Sequence, residues 1–241
     1  MPKILDSLTF IGKQSRRTGS AEAGLTLIEC LVAIVVIAIA TATIAPMMVF
    51  AVATRVQNQK TEQALQIAQG ELDKVRLVVE QGGDYGDRLT DIGLIAVATS
   101  TASTITTVNA PTRFVASVPD VTNATDARVI DTDGDGDNDF AIQLFRNTGI
   151  EVASQTPGVT ASTPVVFNVG TRVYDIRSEP NASTGNLLTS EARLTFTSGN
   201  GDRSLSPLAV LYGQIAQGDR DGSLCQYWEF AGSTPTTLQC N

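Results

Sequence analysis

Residues 24–40 read GLTLIECLVAIVVIAIA, and the uncharged run they open continues from Cys30 to Thr54 as CLVAIVVIAIATATIAPMMVFAVAT. A helix needs about 20 predominantly apolar residues to cross a bilayer, so this run is long enough to span. Lys13, Arg16 and Arg17 precede it, which favours a cytoplasmic N-terminus and an exported C-terminal domain. Glu29 stands at the head of the run, directly after Leu25, Thr26, Leu27 and Ile28. A carboxylate at the centre of a membrane helix costs on the order of 2.5–3.5 kcal/mol, and less near an interface, so it calls for a cation. A cut between Gly24 and Leu25 supplies one. The new α-amino group of Leu25 would lie four residues, about one helical turn, from Glu29. In an assembly of such chains the amine of a neighbour would serve equally.

Two other readings of the same stretch stay open. An ordinary secretory signal peptide would take Cys30 to Ile39 as its apolar core and Ala40-Thr41-Ala42 as its cleavage site, and an uncleaved anchor would keep Met1. The long basic region and the position of Glu29 against the apolar core count against the signal peptide.

The stretch resembles the class III leader of type IV pilins and type II secretion pseudopilins. That leader is basic and ends in Gly, with a cut before an apolar residue, Glu at the fifth mature position, and an apolar helix after it. Gly24, Leu25 and Glu29 fill these positions one by one, and Pro46 falls where pilins commonly carry a helix-loosening proline. The leader is long, and Leu replaces the commoner Phe or Met. The resemblance implies trimming at Gly24 by a prepilin peptidase, N-methylation of Leu25 and insertion in the inner membrane with the C-terminal domain in the periplasm. It also implies engagement of an inner-membrane assembly platform. Other pilin or pseudopilin subunits would then stack on the apolar helix, with Glu29 setting register. On this plan residues 1–24 are the leader and 25–54 the membrane and assembly half of a helix. Residues 55–82 are its amphipathic half, and 83–241 a β-rich exported domain. The whole chain is also similar to the pseudopilins of cyanobacterial hormogonia that serve polysaccharide secretion and gliding.

After Arg55 the pattern becomes amphipathic. Leu65, Ala68, Leu72, Val75 and Val79 recur at spacings of three and four and predict one apolar stripe, with Glu71, Asp73, Lys74 and Arg76 away from it. Gly82 and Gly83 are the expected stop, and Pro46 and Gly70 the expected points of bending.

Beyond Gly83 short apolar or alternating runs predict strands at 104–108, 113–118, 128–130, 140–145, 164–169, 172–176, 192–196 and 208–212, separated by Gly, Asn, Asp and Pro. Residues 84–112 read as a connection. The expected fold is α+β: a long N-terminal helix packed on an antiparallel β-sheet, pilin-like.

One loop carries candidate metal chemistry. In DTDGDGDND, Asp131, Asp133, Asp135, Asp137 and Asp139 alternate with other residues, including Gly134 and Gly136. Calcium takes six to eight hard oxygens, and a D-x-D-x-D-G loop can wrap carboxylates around it. The loop resembles calcium loops of the D-x-D-x-D-G-x-x-D class. That resemblance implies side-chain ligands from Asp131, Asp133, Asp135 and Asp139 and a backbone carbonyl from Asp137. Ile142 stands where an EF-hand would close with Glu, which disfavours a helix–loop–helix hand. A solvated acidic turn needing no ion is the alternative; mutual repulsion of five carboxylates favours the ion.

Cys30 lies in the apolar run, while Cys225 and Cys240 flank QYWEFAGSTPTTLQ near the C-terminus. An exported domain permits their oxidation, and a bridge closing about 15 residues is worth roughly 3 kcal/mol in the chain-entropy view. The arrangement resembles the C-terminal disulfide loop of many pilins; two free thiols are the alternative. Trp228, Tyr227 and Phe230 within it would pack under the loop or present an aromatic surface to glycan or protein.

Composition narrows the function classes. The formal net charge is −8, and the leader holds four of the cations against two anions, leaving −10 for the remainder. That charge disfavours nucleic acid or anionic lipid as a partner of the exported part. Histidine is absent, which removes the commonest general base and metal ligand. The sequence contains no nucleophile elbow, Walker loop or CxxC pair, so a structural subunit is expected rather than an enzyme. A membrane-anchored or secreted calcium-stabilised module binding glycan or protein is the rival reading; it would need neither Glu29 nor an amine at Leu25.

Overall fold

A computed structural model describes residues 26–97, 102–153, 162–192, 202–218 and 223–232. Helix α1 spans Leu27–Glu80, and the chain divides into two compact units, Met1–Ala51 and Val52–Asn241.

In the first unit the described residues are the apolar part of α1. Their side chains are exposed throughout, and this helix is long and apolar enough to cross a membrane. Its polar side chains are turned inward on the backbone. Thr41 donates its hydroxyl to the carbonyls of Ile37 at 2.9 Å and Ala38 at 3.0 Å, and Thr43 donates to Ala40 at 2.8 Å. A hydroxyl satisfied in this way can lie in an apolar medium without a further partner. Pro46 sits inside the helix and does not end it.

In the second unit α1 continues to Glu80 and stops where Gly82 and Gly83 adopt positive φ, +67° and +70°, a conformation that favours glycine. Arg88 secures the stop, donating to Gln81 Oε1 at 2.8 Å and to the Gly82 carbonyl. The buried positions are Ala64, Ala68, Glu71, Leu72, Val75 and Val79. Two corrections to the expected stripe follow. Leu65 is exposed, with Ala64 inside instead, and Glu71 is buried. Gly70 leaves the helix unbroken.

The elements after α1 are α2 (Gly86–Asp91), β1 (Ile95–Val97), a 3-10 turn at Ala102–Thr107, β2 (Arg113–Val115), β3 (Asp126–Ile130), β4 (Phe140–Asn147) and β5 (Ile150–Ala153). Then come β6 (Ser162–Asp175), α3 (Glu179–Ser183), β7 (Ala209–Ala216) and α4 (Ser223–Phe230). The seven strands among the described residues form one mixed sheet. β6 is its spine: Val166 pairs with Ile150 of β5 and Ala216 of β7, and Val169 to Val173 pair with β4 and β7. β3 pairs antiparallel with β4, while β1 on β4 and β2 on β3 are parallel. The expected wholly antiparallel sheet is therefore corrected at these two pairs, both made by three-residue strands.

Alternation along β4 divides the core. Phe140, Ile142 and Leu144 join Val169 and Val173 of β6 against Ala64, Ala68, Leu72, Val75 and Val79 of α1. Ala141, Phe145 and Tyr174 belong to separate clusters with Ala127, Ala182, Leu187, Ile105 and Val108. Successive strand residues point to opposite faces, so both faces are covered.

The remaining strand expectations are adjusted as follows. Residues 104–107 fall in the 3-10 turn and 108 follows it, with Arg172 donating to the carbonyls of Thr106, Val108 and Asn109. The 113–118 run stops at Val115, ahead of a 3-10 turn containing Pro119. Residues 164–169 and 172–175 form one strand rather than two, and Ile176 opens a 3-10 turn. Gly170 stays within it: a Cβ there would stand 2.6 Å from the Phe145 ring, so the bare backbone makes room for that ring. The 192–196 run lies outside the described residues apart from Ala192, which is not in a strand. Ser223–Phe230 is helical, so the loop expected between Cys225 and Cys240 starts on a helix.

Candidate functional site

At the head of α1 the site is built by Thr26 and Glu29. Thr26 donates its backbone N–H to Glu29 Oε2 at 3.3 Å and its hydroxyl to the same oxygen at 3.4 Å; the Glu29 N–H donates back to Thr26 Oγ1 at 3.3 Å. This is a reciprocal capping box, which satisfies two of the donors a helix start leaves open. The carboxylate is thereby folded back toward the N-terminal end, where the helix dipole favours negative charge. The pattern Thr26-x-x-Glu29 was legible as a capping box, and Thr26 is the residue that charge-based reading of Glu29 passes over. Gly24 and Leu25 lie outside the described residues.

The acidic loop joins β3 to β4, closed by the Asp139 N–H donating to the Ile130 carbonyl at 2.9 Å. Gly134 and Gly136 take positive φ, +80° and +96°, and both donate to Asp131, at 2.7 Å to Oδ1 and 2.9 Å to Oδ2. Asp133 accepts from Asp135 N at 3.2 Å, Asp135 from Asp137 N at 2.8 Å, and Asp139 from Thr132 N at 3.1 Å. Carboxylate oxygens of Asp131, Asp133 and Asp139 lie within 4.8 Å of one another; Asp135 and Asp137 are not in that group. The donor set is all hard oxygen, which fits calcium.

Charge is unevenly felt in this loop. The glycine N–H groups, Gly136 before Gly134, hold the Asp131 carboxyl below its ordinary value. At Asp133 the Asp135 N–H acts in the same direction. It is outweighed by burial and by the negative charges of Asp135, Asp139 and Asp131, and the carboxyl is pushed up. The loop borders an open cleft of about 480 Å³, lined by Gln59, Lys60, Glu62 and Gln63 of α1 with Thr132, Asp133 and Asp139.

At the C-terminal end Cys225 lies in α4, and Cys240 is outside the described residues. Tyr227 and Trp228 meet edge-on, ring centroids 6.5 Å apart at 81°. Cys30 is a free, exposed thiol on α1.

Glu71, Arg172 and Asp126 are among the buried polar groups not singled out from the sequence. Glu71 accepts from Arg128 of β3 at 3.0 Å and from Lys74 at 2.7 Å. Arg172, fully buried on β6, donates to the carbonyls of Thr106 (3.2 Å), Val108 (2.8 Å) and Asn109 (3.3 Å), to Gln143 Oε1 (3.2 Å) and to Tyr212 Oη (3.1 Å). Its guanidinium stacks 4.8 Å from the Phe145 ring centre. Asp126 is gripped by Arg113 Nε at 3.1 Å and Nη2 at 2.9 Å, and by the N–H groups of Thr122 and Asn123, each at 2.9 Å. Burial opposes ionisation of Asp126, but these donors prevail and hold its carboxyl at about 2. In each case a polar side chain fastens a connection or a helix to the sheet. Periodicity carries no sign of this, since a charged residue in a strand pattern reads as solvent-facing.

Comparison with the curated proteins and with the solved structures finds no match to the chain. A family model described as the prokaryotic N-terminal methylation motif matches residues 19–45, which include Gly24, Leu25, Thr26 and Glu29; the chain thus begins with a segment similar to the class III leader of type IV pilins and pseudopilins.

Proposed function

We propose that the chain is a pilin-like structural subunit, a minor pilin or pseudopilin, of a type IV pilus or type II secretion-like filament. The observation that carries this is the methylation motif over residues 19–45, read together with a capped carboxylate, Glu29, at the start of a helix apolar enough to span a membrane. A prepilin peptidase cuts after Gly24 and the amine of Leu25 is methylated. Residues 25–54 hold the subunit in the inner membrane and later line the filament, residues 55–82 continue the helix, and residues 83–241 form the periplasmic domain. The Glu29 carboxylate meets the amine of Leu25 in its own or a neighbouring subunit, as an acid in an apolar medium requires. The inner-membrane platform and fellow subunits are its partners, and polysaccharide secretion and gliding are the process it serves.

In the same reading the loop at Asp131, Asp133 and Asp139 holds a structural calcium ion, supported by its oxygen-only donor set. Cys225 and Cys240 close a disulfide in the oxidising compartment.

The test is intact-mass measurement and N-terminal sequencing of protein extracted from its native membrane. The expected chain begins at N-methylated Leu25. A chain beginning at Thr43 would be a secreted soluble protein, and one beginning at Met1 a plain anchor; either overturns the filament assignment.

A further inference from the structure

Asp175 ends β6 with its carboxylate 1% exposed, and cations crowd around it. Arg177 holds it in a fork, Nε to Oδ1 at 2.9 Å and Nη2 to Oδ2 at 2.7 Å, and Lys60 Nζ stands 3.7 Å from Oδ2. One carboxylate is thus shared by two cations, and Arg177 Nη1 is left over on a side chain 55% exposed. A third cation occupies the same corner. Ser178, next to Arg177, donates its hydroxyl to the Arg203 carbonyl at 3.4 Å. Arg203 is 4% exposed, and its Nε is enclosed without a hydrogen-bond partner. Among the described residues its guanidinium makes neither an ion pair nor a hydrogen bond.

This is an expensive way to place an arginine. A guanidinium does not give up its proton inside a protein, so it cannot escape burial by neutralising as a lysine can. Burial first, and then the like charge of Arg177, pull the Arg203 pKa down, and the charge of Asp175 offsets them only partly. The buried Asp126 and Arg172, by contrast, are gripped by several partners each. The planar fork of a guanidinium matches two oxygens of one anion.

We propose that Arg203 and Arg177 form a receptor for an oxyanion at the end of β6: a carboxylate presented by another polypeptide, or a free phosphate. Either ion would offer paired oxygens to the Arg203 fork, with the charge of Arg177, already felt by Arg203, as the second cation at the same corner. The site is separate from the acidic loop in chemistry, since it takes an anion where the loop offers anions.

The experiment melts the full chain in detergent micelles with sodium malonate, as a stand-in for side-chain carboxylate, or sodium phosphate, each against sodium chloride at equal ionic strength. The expected result is a saturable rise in Tm for the wild type that is absent from Arg203→Met. An equal rise in both proteins reflects general salt stabilisation and overturns the proposal, as does no rise in the wild type. Half-saturation at lower malonate than phosphate assigns the site to a polypeptide carboxylate, and the reverse order to free phosphate. Should the Met variant fail to fold, Arg203→Lys keeps the charge but loses the fork. Its half-saturation should then rise several-fold, and an unchanged value overturns the proposal.

Discussion

Glu71 of α1 and Arg128 of β3 meet at 3.0 Å across the interface between helix and sheet, with the Glu71 carboxylate buried and Lys74 also donating to it. The pair stands in the middle of an otherwise apolar stripe, between Ala68 and Leu72. Apolar contacts alone let a helix slide along a sheet, whereas one buried ion pair fixes a single register.

Removing one partner leaves the other charge buried and undercompensated. Arg128→Ala leaves a buried carboxylate with only Lys74, and should cost about 2–4 kcal/mol, toward the lower end of what breaking a buried pair costs because Arg128 still reaches water. Glu71→Leu with Arg128→Met should recover most of that loss. Thermal or urea melting of the two variants checks this; a double variant as unstable as the single one would show that packing, not charge, is responsible.

Thr171 lies at the centre of β6, fully buried, and its hydroxyl has no hydrogen-bond partner among the described residues. An unpaired buried hydroxyl costs about 1–3 kcal/mol. Thr171→Val keeps the shape and removes that cost, so stability should rise by about 1 kcal/mol. The urea midpoint reports it, and a fall would mean that the hydroxyl is bonded to an internal water.

How far the sequence led depends on the kind of force involved. The span and the stop of α1 at Gly82 were legible because length and glycine act locally, whereas the cap at Thr26 was passed over. β4 was legible from its apolar run, and the acidic loop from its alternating aspartates. Glu71 and Arg172 were not, because Arg128 stands 57 residues from Glu71 and the partners of Arg172 at least 29 residues from it, and a charge within a periodic pattern looks solvated until its distant partner is known. The 3-10 turn at Ala102–Thr107 was missed for the same reason. Alternating Thr residues there imitate a strand, and only the buried guanidinium of Arg172 explains the turn. β6 read as two strands because Gly170 looked like a break; the ring of Phe145 fills the space its Cβ would need.

Acid should destabilise the C-terminal domain in a defined window. The folded-state pKa of Asp126 is lowered to about 2, and that of Asp175 is also lowered, since the donors of Arg177 and the charge of Lys60 outweigh burial. A carboxyl with a depressed folded value contributes stability that is complete above its unfolded value of about 3.9 and lost as pH falls through the folded one. The urea midpoint should thus fall between about pH 4 and pH 2. Asp133 has the opposite sign: its raised pKa means that protonation relieves repulsion and slightly offsets the loss. Asp126→Asn should be less stable at neutral pH and show a shallower acid slope; an unchanged slope would remove Asp126 from the account.

Gly149, in the turn between β4 and β5, should differ sharply from Gly134 in the acidic loop. Gly149 has φ of +69°, and a Cβ there would meet the Val166 carbonyl oxygen at 2.1 Å, whereas Gly134 has nothing within 4 Å. Gly149→Ala combines a disfavoured φ with a backbone clash and should cost about 3 kcal/mol or more. Gly134→Ala meets only the φ penalty and should cost about 1 kcal/mol. Paired melting curves separate the two, and equal losses would refute the steric explanation.

The acidic loop makes the last prediction. Without an ion, the carboxylates of Asp131, Asp133 and Asp139 stand within 4.8 Å of one another and repel, which contributes to the raised Asp133 value. Calcium binding would reverse the sign of that interaction, because a divalent cation favours the ionised form of each ligand. Calcium at about one hundred times its Kd should stabilise the domain by about 2.7 kcal/mol, and EGTA should take that away. Magnesium should do much less, since it demands octahedral geometry and gives up water reluctantly. Asp133→Asn and Asp139→Asn should each lose the response while leaving the ion-free melting temperature equal or higher, as one repelling charge is gone. If calcium and matched sodium chloride shift the wild type alike, the loop is a solvated turn whose aspartates serve only to cap their own backbone N–H groups.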